Sequence, residues 1–166
     1  MITPASEPSF DDALLLIGRL NYAWTNTESV LVHLIAGLTK TDKQTATIIF
    51  LTLNTMRARV DLVERMAKLD PTPAEHRKRI LAATKKLVQL SAVRNRYNHS
   101  IYAFDPESGH ARTILMRIAD RKDEIKIGQS SDLDSAAMDS IRKVIEDLTL
   151  LNREYWAIIK EYGYPS

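Results

Sequence analysis

The segment Val93-Arg94-Asn95-Arg96-Tyr97-Asn98-His99-Ser100 sets an arginine and a histidine five positions apart, with two asparagines between them. These side chains suit chemistry at phosphorus. To cleave RNA through its own ribose, the 2′-hydroxyl must lose a proton, the neighbouring phosphorus must pass through a charge-rich five-coordinate state, and the departing 5′ oxygen must gain a proton. An imidazole, with an ordinary pKa of about 6.5, exchanges protons near neutrality and so serves as general base or acid. A guanidinium grips phosphoryl oxygens two at a time and binds the charge that grows on them. Asn95 and Asn98 can orient the imidazole or hydrogen-bond ribose and phosphate, and Tyr97 offers a ring to a base. One histidine does not readily act as acid and base together, so a homodimer that brings two Arg/His sets into one cleft is expected.

These residues need an element to hold them. At about 100° per residue, Arg94 and Asn98 lie nearly above one another on a helix, as do Asn95 and His99. Counting back from Arg94, Ile80, Ala83, Leu87 and Leu90 fall on the same side, and Ile101 continues the stripe. A guanidinium on an apolar seam costs free energy unless it is paired or faces a solvated cleft. The predicted helix begins at Thr72-Pro73-Ala74-Glu75, with threonine as cap and proline at the first helical position, and runs through His99.

Three further helices complete the expectation. Ser9 and Asp12 form a capping pair before Leu14, Ile17, Trp24, Leu31, Ile35 and Leu38, whose helical period ends near Gly37. Thr41 and Gln44 open a second helix, apolar at Ala46, Ile49, Phe50, Leu53, Met56, Val60, Val63 and Ala67, that ends before Pro71. Ser131 and Asp134 cap a last one with Ala137, Ile141, Val144, Leu148, Leu151, Tyr155 and Ile158 on one face. Between helices three and four, a turn over Asp105–Gly109 is followed by Thr113–Ile118 and Glu124–Ile127, which read as a small hairpin. The expected fold is all-α: an antiparallel up-down four-helix bundle over residues 9–166, with a small β-hairpin or loop before the last helix and a disordered tail over residues 1–8.

Glu28 stands at heptad spacing from Leu14 and Ile35 and so faces inward on the first helix. Two inward charges of opposite sign predict a Glu28–Arg94 pair that fixes the guanidinium's direction, with Arg57 as the second choice of partner for Glu28. From His76 to Phe104 there is no acidic residue, while Arg77, Lys78, Arg79, Lys85, Lys86, Arg94 and Arg96 are all cationic. That run predicts a basic stripe able to hold phosphates, with Lys85, Lys86, Arg96 and Tyr97 as RNA-binding residues. The same run also fits a solvated face that meets acidic side chains elsewhere.

Composition excludes several classes. With 45% hydrophobic and 27% charged residues in 166, the chain can bury a core and is not a disordered segment. It has no cysteine, hence no disulfide framework, thiolate metal site or cysteine nucleophile, which fits a cytoplasmic setting. No apolar run approaches a membrane span, so no membrane association is expected. His33, His76 and His110 lack partners at ligand spacing, and no phosphate-cradling glycine loop, dinucleotide fingerprint or serine-nucleophile motif is present; neither metal nor cofactor is expected. Trp24 and Trp156 read as core.

The pattern Arg94-Asn95-(Arg96-Tyr97-Asn98)-His99 near the end of the third long helix, with Ser100 and Tyr102 following, resembles the HEPN superfamily of helical domains. The resemblance covers nearly the whole chain in the order of its elements. It implies a metal-independent endoribonuclease that leaves a 2′,3′-cyclic phosphate, working as a dimeric toxin beside an antitoxin protein or as a phage-defence effector. Arg94 and His99 would then be catalytic, with Asn95 and, more loosely, Glu28 in support. The hairpin before the last helix departs from the barest form of that fold. An inactive helical module that binds RNA or nucleotide, or that mediates dimerisation, is the alternative.

Overall fold

The computed structural model describes residues 9–166; the expected tail over residues 1–8 lies outside them. In chain order the elements are α1 (Phe10–Ser29), α2 (Leu31–Thr39), α3 (Lys43–Thr52), α4 (Met56–Ala67), α5 (Ala74–Asn98), β1 (Ser100–Phe104), β2 (Ala111–Asp120), β3 (Ile125–Asp132) and α6 (Ser135–Tyr162). The chain is therefore not the all-α four-helix bundle that periodicity predicts. Helices dominate, but a three-stranded antiparallel sheet of order β1-β2-β3 stands where a hairpin was expected, and the first two predicted helices are each broken in two.

Each break has a local cause. Within the expected first helix, the Asn26 carbonyl accepts the Ser29 hydroxyl (2.9 Å) and the Asn152 amide (3.3 Å), and the Val30 N–H turns back to Thr27 instead (3.3 Å). A side chain that competes for a helix carbonyl interrupts the ladder at that point. Within the second, Leu53 is extended (φ −79°, ψ 103°) and Thr55 caps a fresh helix by accepting the Ala58 N–H at 3.1 Å. Arg59 closes the gap: its Nε donates to the carbonyls of Phe50 (3.0 Å) and Leu53 (2.9 Å), which the end of α3 leaves without helical partners.

The chain folds as two compact units. One comprises the described residues up to Tyr22 with Ala92–Ile145; the other comprises Ala23–Ser91 with Glu146–Ser166. In the first, Ser9 and Asp12 cap α1 reciprocally as expected, each backbone N–H meeting the other's side chain at 3.1 Å. Ala13, Leu16, Ile17, Leu20, Tyr97, Leu133, Met138 and Ile141 are buried there. The cap of α6 is Asp134, which accepts the Ala137 N–H at 2.8 Å; Ser131 lies in β3 instead. In the second unit Trp24, Leu31, Leu34, Ile35, Ile80, Leu87, Leu148, Tyr155 and Ile158 are fully buried. Trp156, expected in the core, is 42% exposed and tilts against His33 with ring centres 4.9 Å apart.

Strand β1 explains the sheet. Ser100–Phe104 pairs with β2 from Ser100↔Leu115 to Phe104↔Ala111, and β2 pairs with β3 from Arg112↔Asp132 to Asp120↔Ile125. Between Leu115 and Ile118 the register slips, so that Met116 and Arg117 together oppose Gly128. Gly128 has φ +68°, a conformation that a side chain at this position would strain.

Candidate functional site

The last turn of α5 meets β1 without an intervening loop, and four hydrogen bonds fix the junction. The His99 N–H donates to the Asn95 carbonyl (3.1 Å), and the His99 carbonyl accepts the Met116 N–H (2.8 Å). The Ser100 hydroxyl donates to the Arg96 carbonyl (2.7 Å) and the Tyr102 hydroxyl to the Tyr97 carbonyl (2.6 Å). The two hydroxyl bonds supply donors to carbonyls in the last turn of the helix, at Arg96 and Tyr97. Burial pushes the Tyr102 phenol up to about 12, so it stays protonated and donates at neutral pH. Ser100 and Tyr102 thus have a physical role: they turn the chain from helix to strand at His99.

Around Arg94 the carboxamides form a chain. Nη1 donates to Asn95 Oδ1 at 3.1 Å. With the Asn98 amide oriented to satisfy its neighbours, its oxygen accepts from Arg94 Nη2 (2.7 Å) and Nε (3.1 Å), and its nitrogen donates to Asn21 Oδ1 (2.7 Å). Asn21 in turn donates from Nδ2 to the Ile17 carbonyl on its own helix (3.1 Å). The guanidinium is therefore held along two edges by neutral oxygens. Its side chain is partly buried, whereas His99 is exposed, and among the described residues no side chain hydrogen-bonds the imidazole.

The structure brings Arg94, Asn95 and Asn98 together and adds Asn21, which the sequence reading missed. A signal existed: Leu14, Asn21, Glu28 and Ile35 form one heptad series, so Asn21 belongs to the same stripe that singled out Glu28. His99 sits next in the chain to Asn98, but its imidazole is not part of the carboxamide network.

The remaining predicted residues lie elsewhere. Glu28 belongs to the second unit, where Oε1 accepts from Arg59 Nη1 (2.8 Å) and Oε2 from Trp24 Nε1 (2.9 Å). Its salt-bridge partner is thus Arg59, where Arg94 was expected; the second choice, Arg57, is 67% exposed in its side chain and pairs with Asp61. Arg59 also lies over the Phe50 ring, 4.0 Å from its centre. Lys86 pairs with Asp147 at 3.0 Å, and Lys85 is exposed. Arg96 is exposed, 6.0 Å from the centre of the Tyr97 ring. Tyr97 itself is only 5% exposed, so its ring belongs to the core and has no open face for a base.

The other histidines are engaged structurally. His33 is buried with Nδ1 2.8 Å from the Pro165 carbonyl, His76 stacks on Tyr162, and His110 Nε2 lies 3.0 Å from Asp132 Oδ1 beside a groove of about 280 Å³ at the start of α6. Among the described residues no group of three or more His, Asp or Glu is arranged to hold a metal ion, and no helix is long and apolar enough to cross a membrane. No protein-family model, curated protein or solved structure matches this chain.

Proposed function

We propose that this protein is an endoribonuclease of the HEPN type. The observation that supports it is the end of α5, where a restrained guanidinium and an exposed imidazole, free of any hydrogen bond within the described residues, are fixed five positions apart. In this reading His99 takes the proton from the ribose 2′-hydroxyl, which attacks phosphorus and expels the 5′ oxygen, leaving a 2′,3′-cyclic phosphate. Arg94 stabilises the charge on the phosphoryl oxygens, with Asn95 and Asn98 setting its direction. The His99 of a second copy supplies the proton for the leaving oxygen, and the reaction needs no metal or cofactor. A toxin or phage-defence effector acting on cytoplasmic RNA, restrained by an antitoxin protein, is the setting such an activity fits.

Incubating the purified protein with total RNA in chelator and mapping the new ends tests this. Wild type is expected to cut, and His99→Ala to lower the rate by at least about 100-fold while RNA affinity is kept. Arg94→Lys, which retains the charge but not the fork, is expected to fall by a similar factor. Cleavage that requires magnesium, or that survives both changes, overturns the mechanism.

One observation favours a second reading. The Nε edge of Arg94, the natural fork for a phosphate, is taken up by Asn98. A module that clamps its helix end this way, and binds RNA or dimerises without cutting, would show RNA affinity in wild type with no new ends at any protein concentration.

A further inference from the structure

We infer that the sheet face beginning at His99 seats an unpaired RNA strand, a substrate class for the site proposed above and resting on that reading for its link to cleavage. Alternation along β1 puts Ile101 and Ala103 on one face, with His99 at its edge. Register brings Ile114 opposite Ile101 and Arg112 opposite Ala103, and the bond between Met116 and the His99 carbonyl sets Met116 across from His99. The bulge adds Arg117 beside Met116 at the same level, both facing Gly128. On β3, Lys126 and Ser130 continue this face.

The face has an apolar floor and an excess of positive charge, with Arg112, Arg117 and Lys126 against Asp132. Ile101 is 50% and Met116 59% exposed, and nothing in the described chain covers them. Arg112 and Arg117 are exposed, and neither has a carboxylate partner among the described residues. Asp132, the register partner of Arg112, lies 3.0 Å from His110 Nε2, and Lys126 lies 3.6 Å from Glu124. Aliphatic side chains next to unneutralised arginines suit a ligand with flat apolar faces on a polyanionic backbone. A duplex stacks its bases internally and leaves the floor uncovered; an unpaired strand lays bases on Ile101 and Met116 while its phosphates reach Arg112 and Arg117. Its backbone then passes the His99 edge.

The test uses the full chain and a fluorescent 2′-O-methyl RNA of about twelve nucleotides, which has no nucleophile and binds whether or not the protein cuts. Anisotropy is expected to show the single strand bound at least tenfold more tightly than its duplex. Arg112→Ser/Arg117→Ser should lose about tenfold in affinity near 0.1 M salt and reduce the log–log salt slope by about 1.4, with circular dichroism unchanged. Met116→Asp should weaken binding in the same way and leave the sedimentation coefficient as in wild type.

Unchanged affinity and slope in a folded double variant, or a preference for duplex, overturns the inference. So does a Met116→Asp chain that changes from dimer to monomer while the arginine variants bind as wild type, since the floor is then covered by a second copy. Total-RNA cleavage read in parallel separates the two proposals. A protein that binds through these arginines but cuts nothing keeps the strand seat and loses the ribonuclease. Cutting that persists with no loss of affinity in the double variant does the reverse.

Discussion

Along α5, Arg79 is bonded to both Glu154 and Glu161, and Lys86 holds Asp147 at 3.0 Å; on the sheet, Arg112 and Arg117 have no carboxylate partner among the described residues. The first set belongs to the basic run that stands out in the sequence, and of the seven cations in that run α6 pairs two, Arg79 and Lys86. The second set is inconspicuous in the sequence and is left to solvent. The difference teaches that a run of like charge says little until the elements opposite it are known. Asp147, Glu154 and Glu161 recur every seven residues on α6, as Arg79 and Lys86 do on α5, which is the spacing that two packed helices share. Arg59, Arg79 and Lys86 of the second unit serve the fold, while Arg112 and Arg117 of the sheet stand exposed with no carboxylate partner among the described residues.

The largest expected effect probes that division at Arg59. With only 18% of its side chain exposed against 13% for Glu28, Arg59→Ala strands a mostly buried carboxylate and two helix-end carbonyls. Such a loss costs about 3 kcal/mol, read as a lower urea midpoint at unchanged slope. The RNA affinity of the folded fraction is expected to stay as in wild type. A variant that is fully stable but binds RNA poorly would break the comparison, because this cation would then serve a ligand.

A smaller effect is expected at Arg79. Hydrogen bonds to Glu154 and Glu161 raise its pKa well above the ordinary value, yet the partners are 42% and 62% exposed, so water screens much of the attraction. Arg79→Ala should lower stability by under about 1 kcal/mol, and the difference should shrink in 1 M salt. RNA binding should again be untouched. If Arg79→Ala instead flattened the salt dependence of RNA binding as the sheet variants are expected to, the two regions would not differ.

Much of the helical framework was legible because burial follows the 3.6 period. Ile80, Ala83, Leu87 and Leu90 on α5, and Ile141, Val144, Leu148, Leu151, Tyr155 and Ile158 on α6, are all buried as their spacing demands. The breaks at Val30 and Leu53 were hidden because the apolar period continues through both; what interrupts the helices is hydrogen bonding by Ser29, Asn152 and Arg59, which periodicity does not register. Strand β1 was hidden for a related reason. No glycine or proline separates it from α5, and Ile101 falls where the helical stripe would continue. At the site, the grouping of Arg94, Asn95 and Asn98 followed from helix geometry. The Glu28–Arg94 pair did not, because an inward direction on two helices says nothing of their relative height, and Arg59 meets Glu28 at 2.8 Å.

The smallest expected effect asks whether the two regions differ in their anions as well. Asp12 in the first unit is held below the ordinary carboxyl value chiefly by the Ser9 hydroxyl, and Asp105 there by the Ser108 hydroxyl. In the second, Asp42 is depressed by the Thr45 backbone N–H and then by its hydroxyl. A folded pKa below the unfolded 3.8 means that each bond stabilises the chain above 3.8 and is lost as pH falls through the depressed value. The thermal midpoint of wild type should therefore drop below about pH 4, and Asn substitutions at these positions should flatten that limb by similar small amounts in both units. Equal flattening would confine the difference between the regions to their cations. A response to Asp42→Asn alone would show instead that the second unit ties up its anions more tightly too.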